Sequence, residues 1–333
     1  MILVTGANGF VGSAILKHLH ARGYAVRGLI RKSSDLRRLK GVGVTLCSAD
    51  LNDTNALTAA LRGCELVVHC AARSIDWGKE SKFREVNVMG VQNLMNASHR
   101  VGSVRRIVFI STANISGYGK RNIDESESEN AHLRFPYSRS KREGEWAACE
   151  LCADFGIELV ILRPSAVYGP EDWKWSYEMM ARIDHSSWPL INGGKALFTP
   201  LYIDNLCLAA ENAMKAGRNG GVYNLTDDVE VTWLVFCEKI ARFLHTTPRY
   251  TNVPFFSAIA IAFLLEAVYK IVNLQKDPGV TRYRVIRSAK DFHYSCALAK
   301  KELHYKPDRD IDSHIAETVR WYRSVKGALP TTG

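Results

Sequence analysis

The first twelve residues, Met1-Ile-Leu-Val-Thr-Gly-Ala-Asn-Gly-Phe-Val-Gly12, decide the fold. A short apolar run comes first, three glycines follow it, and the amphipathic stretch Ser13–Arg22 comes next. This order predicts a strand, a tight turn and a helix. Gly6 lets the chain turn sharply, Gly9 lets the backbone approach a pyrophosphate, and Gly12 lets the helix pack close to the strand. The turn would then present backbone N–H groups to the phosphates of a dinucleotide.

Strand-like and helix-like segments alternate through the first half of the chain. The predicted strands are Ile2–Val4, Ala25–Ile30, Val44–Ser48, Leu66–Cys70, Arg106–Ile110 and Ile157–Leu162. The predicted helices are Gly12–Ala21, Ser34–Leu39, Thr54–Leu61, Ser81–Arg100 and Ser138–Phe155. This alternation predicts an α/β fold of the Rossmann type, a doubly wound parallel sheet with helices on both faces. Ligands bind such sheets at the carboxyl ends of the strands.

The pattern changes after Arg163-Pro164. We expect residues 1–168 to form a dinucleotide-binding domain and residues 169–333 a smaller, mainly helical substrate lobe. Two strands within residues 200–226 are expected to return to the sheet, and residues 173–188 are expected to be irregular. The uncharged stretch Val253–Leu265 is shorter than the roughly 20 residues that span a bilayer. Residues 253–272 are therefore a buried helix, a wall of an apolar pocket, or a helix lying in a membrane interface.

Composition narrows the class of protein. The chain has 333 residues, of which 47% are hydrophobic and 23% charged, as in soluble globular proteins. Eight scattered cysteines and a first strand at residue 2 predict a reduced, cytoplasmic protein without a signal peptide. Cys149 and Cys152 have the spacing of zinc ligands, but they lie in one predicted helix and no second cysteine or histidine pair has such spacing. No metal site is therefore predicted. The net charge of +10 suits a phosphorylated cofactor, an anionic substrate or a membrane surface, and no basic run has the aromatic interleaving of a nucleic-acid platform.

Two short motifs carry the chemistry. Tyr137-Ser-Arg-Ser-Lys141 begins a helix, and its spacing places Tyr137 and Lys141 on one face. A nearby ammonium lowers the pKa of a phenol, so Tyr137 is expected to exchange a proton with an alcohol or ketone oxygen near neutral pH. Lys141 would also hydrogen-bond a cofactor ribose. Thr112 ends a strand and is expected to hydrogen-bond the reacting oxygen, with Ser111 as the next candidate.

These features, in this order, resemble the extended short-chain dehydrogenase/reductase superfamily. The resemblance extends over His69–Ala72, Asn87–Leu94, Leu162–Pro170 and Tyr202–Asn205. It implies hydride transfer to or from a nicotinamide, with Tyr137 as proton donor or acceptor and Thr112 stabilising the oxygen. The cofactor contacts that it implies are Gly6, Asn8, Gly9, Phe10, Val11, Gly12, Asp50, Leu51, Cys70, Ala71, Ala72, Tyr137, Lys141, Pro164 and Val167.

The residue after the second predicted strand indicates which dinucleotide binds. An acidic residue there would hydrogen-bond the 2′-hydroxyl of NAD. This chain has Arg31 in that place, followed by Lys32 and Ser33. A guanidinium pairs with a 2′-phosphate, so the sequence predicts NADP(H) rather than NAD(H).

The second half of the chain bears on the substrate. Three segments resemble the 3β-hydroxysteroid dehydrogenase branch: residues 261–269, 281–284 and 290–307. The arginine after the second predicted strand, Arg31, resembles the arginine at that place in dihydroflavonol reductases. The resemblance implies a secondary alcohol or ketone on a large apolar body, such as a steroid or a long-chain β-keto acid. Trp173, Trp175, Trp188 and Phe255–Leu265 are expected to enclose that body.

Two other functions stay open. One is an NDP-sugar epimerase or dehydratase, although residues 195–202 lack the Arg-Asp pair that is typical of those enzymes. The other is a sensor that binds NADP(H) without turnover. A homodimer through residues 81–100 and 138–155 is also consistent with the resemblance.

Overall fold

The computed structural model describes residues 1–130, 133–185, 187–274 and 276–327. The strands in chain order are β1 Ile2–Thr5, β2 Val26–Ile30, β3 Thr45–Ser48, β4 Leu66–His69, β5 Arg106–Ile110, β6 Lys120–Ile123, β7 Glu158–Pro164, β8 Ala166–Tyr168, β9 Ser187–Ile191, β10 Leu197–Phe198, β11 Pro200–Tyr202, β12 Gly221–Leu225, β13 Val231–Thr232, β14 Arg249–Val253 and β15 Phe292–Tyr294. The α-helices are α1 Phe10–Ala21, α2 Thr54–Leu61, α3 Glu80–Arg84, α4 Gly90–Val101, α5 Pro136–Phe155, α6 Trp175–Asp184, α7 Ile203–Lys215, α8 Trp233–Leu244, α9 Phe255–Ile271, α10 Arg282–Ala289, α11 Ala297–Glu302 and α12 Ile311–Val325.

Seven parallel strands form the central sheet, in the order β12-β7-β5-β4-β1-β2-β3. Helices α2, α4 and α5 pack together on one face, and α1 packs against α7 on the other. Two buried apolar clusters, one on each side of the sheet, form the core. The prediction of a doubly wound α/β fold is confirmed. The strand order reverses between β1 and β4, where folds of this type bind ligands.

The second half differs from the prediction at several points. Of the two strands expected to return to the sheet, β12 joins it beside β7, whereas β11 pairs with β8 outside it. Residues 173–188 are not irregular, because α6 and the start of β9 lie there. The helix predicted at Ser34–Leu39 is only a short 3₁₀ turn, Arg37–Leu39.

One apolar core joins the two expected domains. Its members run from Ile2 to Tyr322, so the division at residue 168 stays an interpretation of the sequence. Ser186, Gln275 and residues 328–333 of the expected lobe lie outside the described residues. Over the described ranges, no helix has both the length and the apolarity needed to cross a membrane.

Candidate active site

The glycine turn between β1 and α1 has the shape of a phosphate cradle. Gly6 has φ +63°, and a Cβ on it would lie 2.8 Å from the Cα of Ala71. A Cβ on Gly12 would lie 2.2 Å from the carbonyl oxygen of Gly6, so neither position tolerates a side chain without movement. Gly9 is the N-cap of α1 and provides no side-chain cap, which leaves N–H groups of the first turn for an anion. Asn8 lies in the same turn, and Phe10 and Val11 are the first two residues of α1; together they complete a site that fits a dinucleotide pyrophosphate.

A threonine fixes the neighbouring strand end against this turn. The Thr5 hydroxyl accepts hydrogen bonds from the amides of Cys70 and Ala71, both at 3.2 Å. The Thr5 hydroxyl therefore donates its proton to Nδ1 of His69, and Oγ1 and Nδ1 are 2.8 Å apart. Since Nδ1 accepts, the proton of the neutral histidine is on Nε2. Burial lowers the pKa of His69 to about 3, so the ring is neutral. Cys70-Ala71-Ala72 is thereby held beside Gly6.

Tyr137 and Thr112 meet at the carboxyl edge of the sheet, and their side chains are hydrogen-bonded. Thr112 follows β5, and its hydroxyl also accepts from the amide of Asn114 at 3.3 Å. The side-chain amide of Asn114 in turn donates to the hydroxyl of Tyr283 at 2.6 Å. Ser111 is buried, and its Oγ has no hydrogen-bond partner in the described part of the chain. The structure therefore pairs Tyr137 with Thr112.

The expected effect of Lys141 on Tyr137 is wrong for this structure. Burial, and to a lesser extent Tyr283, raise the pKa of Tyr137 above its ordinary value of 10. The Lys141 ammonium instead donates to the carbonyl oxygen of Ile110 at 2.8 Å and lies 4.7 Å from the centre of the Phe109 ring. Burial lowers the pKa of Lys141 to about 8. The phenol of Tyr137 is thus protonated at neutral pH, and Lys141 keeps its charge there.

The remaining predicted contacts lie along the same edge. Arg31 and Lys32 follow β2 with exposed side chains, and Asp50 and Leu51 follow β3. Pro164 ends β7, and Val167 lies in the adjacent strand β8. Of these residues, all but Val167 lie at or just after the carboxyl end of a strand of the central sheet.

Polar contacts that were not predicted from the sequence support this site. Asn87 lies in a π-helical turn, Glu85–Met89, where it accepts from the amide of Arg73 at 2.8 Å and donates to Ser140 Oγ at 3.0 Å. Ser140 Oγ donates to the carbonyl oxygen of Tyr137 at 2.9 Å. Asn87 thus fixes the first turn of α5. The motif around Asn87 was noticed, but its partners are distant in sequence.

A buried ion pair fastens α5 to β7. Glu145 and Arg163 lie 2.6 Å apart, with 4% and 6% of their side chains exposed. Glu145 follows Lys141 by four residues, which places both side chains on one face of α5. This spacing could have identified Glu145 from the sequence. The pair fixes the helix that carries Tyr137 and Lys141.

Arg38 joins the glycine turn to the second half of the chain, and it was also missed. Its guanidinium donates to the carbonyl oxygens of Asn8 at 3.2 Å and Glu171 at 2.9 Å. Burial lowers the pKa of Arg38, while Glu171 opposes that change. This side chain closes the outer side of the cradle.

A cleft of about 680 Å³ has Phe135, two residues before Tyr137 in the chain, in its wall. Its walls are mainly apolar and belong to α9, α10 and the segment before α5; they are Arg134, Phe135, Phe255, Ile259, Ala260, Phe263, Leu264, Arg282 and Ile286. Phe135 packs edge-on against Tyr283, which connects the cleft to the polar site. Part of α9 lines the cleft as expected, but Trp173, Trp175 and Trp188 do not. They pack instead against other apolar residues of the second half.

Comparison with known proteins places the chain in a family. The model of the NAD dependent epimerase/dehydratase family matches residues 2–226. A 2-alkyl-3-oxoalkanoate reductase of Shewanella oneidensis is 28% identical, over 91% of this chain and 81% of its own. A decarboxylating sterol-4-alpha-carboxylate 3-dehydrogenase of Dictyostelium discoideum is 25% identical, over 91% and 95%. The solved structure of DesIV, a dTDP-glucose 4,6-dehydratase of Streptomyces venezuelae, matches with a TM-score of 0.81 at 23% identity and 98% coverage of both chains.

The structural likeness shows the shared fold, and the family model covers more than half of the chain. The chain therefore belongs to the NAD-dependent epimerase/dehydratase family, within the extended short-chain dehydrogenase/reductase superfamily of NAD(P)-dependent oxidoreductases.

Proposed function

We propose that the protein interconverts a ketone and a secondary alcohol on a large apolar substrate with NADP(H). The observation that carries this proposal is the Tyr137–Thr112 pair, which Asn114, Tyr283 and Phe135 connect to an apolar cleft. The Thr112 oxygen accepts from the amide of Asn114, so its proton is directed towards Tyr137. The phenolic proton of Tyr137 is then available to a carbonyl oxygen.

In the direction of reduction, Tyr137 transfers its proton to the carbonyl oxygen while Thr112 stabilises the negative charge on that oxygen. NADPH, when bound, supplies the hydride for the carbonyl carbon. Lys141, charged at neutral pH, adds a positive charge near the strand ends. Asn87 and the Glu145–Arg163 pair hold the helix in position during the proton transfer.

The charges after β2 support NADP(H) over NAD(H). Arg31 and Lys32 are exposed and form no ion pair with a described residue. The nearby carboxylate of Asp35 is paired with Arg37 at 2.7 Å, so it does not compete for Arg31. A 2′-phosphate would therefore meet two cations whose charge is not already neutralised.

The cleft supports an apolar substrate that carries an acidic group. Its volume suits a body of the size of a steroid or a long alkyl chain. Of its two arginines, Arg282 is paired with the buried Glu266 at 2.8 Å, which leaves Arg134 to meet an anion. The names of both curated relatives above specify a carboxylate next to a large apolar body.

A panel of substrates tests the proposal. Long-chain 3-oxo acids and 3-oxosteroids are offered with NADPH or NADH, and cofactor oxidation is followed by absorbance. NDP-sugars are offered with NAD⁺ or NADP⁺, and their products are followed by chromatography, because epimerisation and dehydration cause no net change in the cofactor. We expect turnover with the apolar ketones and NADPH. Conversion of an NDP-sugar alone would favour the epimerase or dehydratase alternative, and tight NADPH binding without turnover of any substrate would favour the sensor. A tenfold preference for NADH would contradict the cofactor assignment.

A further inference from the structure

Helix α9 is attached to the rest of the protein by a narrow stripe. Ala258, Ala262 and Glu266, spaced four residues apart, are its buried residues. The Glu266 carboxylate accepts from the backbone amide of Arg282 at 2.7 Å and pairs with its guanidinium. Val285 of α10 packs against the two alanines. One side of the helix is thus fixed by small residues and one ion pair.

The other side of α9 and the residues just after it expose large apolar side chains. Eight such side chains are between 43% and 84% exposed, and we call them the α9 apolar face: Phe256, Ile261, Phe263, Leu264, Val268, Ile271, Val272 and Leu274. The described part of this chain has no equivalent face elsewhere, because its six other exposed large apolar side chains lie at scattered positions. A continuous face of this kind marks an interaction site.

The charges around the α9 apolar face indicate an anionic partner. Both carboxylates between residues 254 and 280 are paired: Glu266 with Arg282, and Asp277 with Arg284. Lys270 and Lys276 are exposed at the C-terminal end of the helix. The surface at this end is therefore apolar and basic, which is the combination that binds anionic lipids.

Aromatic rings flank the same end of the helix. Trp77 packs edge-on against Tyr269 at 6.2 Å, and its indole N–H donates to the carbonyl oxygen of Leu274 at 3.5 Å. Lys270 lies 6.0 Å from the centre of the Trp77 ring. Tryptophan and tyrosine with adjacent lysine are enriched at the headgroup level of membranes.

The mouth of the cleft lies on this face. Phe263 and Leu264 line the cleft, yet they are 55% and 63% exposed. An apolar molecule in a bilayer that covers the α9 apolar face would reach the cleft without crossing water.

We propose that α9 binds the surface of an anionic lipid bilayer and that the cleft receives its apolar substrate from that bilayer; the second clause rests on the proposed function. Lipid contact buries Phe256, Ile261 and Ile271, and Lys270 and Lys276 provide the preference for anionic headgroups. None of these five residues lines the cleft.

Vesicle flotation tests the lipid binding. The full chain is mixed with vesicles of phosphatidylcholine alone or of phosphatidylcholine with phosphatidylglycerol. We expect flotation with the anionic vesicles, a loss of about tenfold or more in binding for Phe256→Gln/Ile261→Gln/Ile271→Gln, and no loss for the exposed control Val235→Gln. Reversal of charge in Lys270→Glu/Lys276→Glu should remove the preference for phosphatidylglycerol, at about fivefold for each lysine.

Three outcomes would overturn the proposal: wild-type protein that does not float, a triple variant that floats as well as wild type, or an α9-dependent dimer in sedimentation that binds no vesicle. Turnover separates this proposal from the proposed function. The triple variant should keep its rate on a short, water-soluble ketone and lose rate on a substrate dissolved in vesicles. Absence of any ketone turnover would contradict the proposed function and leave the flotation result intact.

Discussion

The Lys141 ammonium lies 2.8 Å from the carbonyl oxygen of Ile110, to which it donates a hydrogen bond. Ile110 is the last residue of β5, and Thr112 follows two residues later. The lysine therefore ties α5 to the strand that carries Thr112. The buried Lys141 ammonium thus fixes the position of Thr112 relative to α5 and also places a positive charge at the site.

Burial of Lys141 predicts a distinctive dependence of stability on pH. Its pKa is about 8 in the folded protein and near 10.5 when unperturbed. Between these values the unfolded chain binds a proton that the folded protein has lost, so the cost of burying this lysine falls as pH rises. Relative to Lys141→Met, the wild-type free energy of unfolding should rise by roughly 1 kcal/mol for each pH unit in that window. Urea unfolding at several pH values measures this difference. Lys82→Met, at an exposed position, is the control. Equal dependence of the free energy of unfolding on pH in wild type and Lys141→Met would contradict the prediction.

The Glu145–Arg163 pair should be important for stability. Glu145→Gln leaves a buried guanidinium without a carboxylate, and we expect a loss of about 3–5 kcal/mol in the free energy of unfolding. The matched control, Glu85→Gln, breaks the exposed pair with Lys82 and should cost less than about 1 kcal/mol. Equal losses in urea denaturation would show that the buried pair has no special role.

Arg31 should determine the cofactor. Arg31→Gln removes a charged partner of the 2′-phosphate, so kcat/KM for NADPH should fall by about tenfold or more while that for NADH changes little. Arg37→Gln is the control, because Arg37 is already paired with Asp35. An unchanged ratio of kcat/KM for NADPH to that for NADH would disprove this role of Arg31.

Arg134 should recognise the acidic group of the substrate. In Arg134→Gln we expect KM for a long-chain 3-oxo acid to rise by about tenfold, with kcat and the KM of a neutral apolar ketone little changed. Arg121→Gln removes an exposed arginine whose nearest carboxylate, on Asp291, is 3.6 Å away, and it serves as the control. A rise in KM for both kinds of ketone would assign Arg134 a structural role.

The parts of the molecule that were predictable from sequence depend on local patterns. The glycine turn, the strand ends at Thr112 and the Tyr137–Lys141 spacing are all set within a few residues. The supporting contacts are not local: His69 meets Thr5 across 64 positions, and Asn114 meets Tyr283 across 169. No single-sequence pattern specifies those pairings.

Helix α9 shows a second limit. Its apolar residues occur on all sides, which favoured a buried helix or a pocket wall, yet the structure buries only a stripe that includes Ala258 and Ala262. Periodicity distinguishes a buried face only when the other face is polar. The expectation of full burial is therefore wrong, whereas that of a pocket wall holds for part of the helix.

The proposed role of Tyr137 is tested by comparing wild type with Tyr137→Phe. Steady-state oxidation of NADPH with a long-chain 3-oxo acid gives the turnover, and fluorescence titration gives the affinity for NADPH. Since the variant keeps the ring and loses only the hydroxyl, turnover should fall by about a hundredfold or more while NADPH affinity is unchanged. Turnover equal to that of wild type would contradict proton transfer by Tyr137.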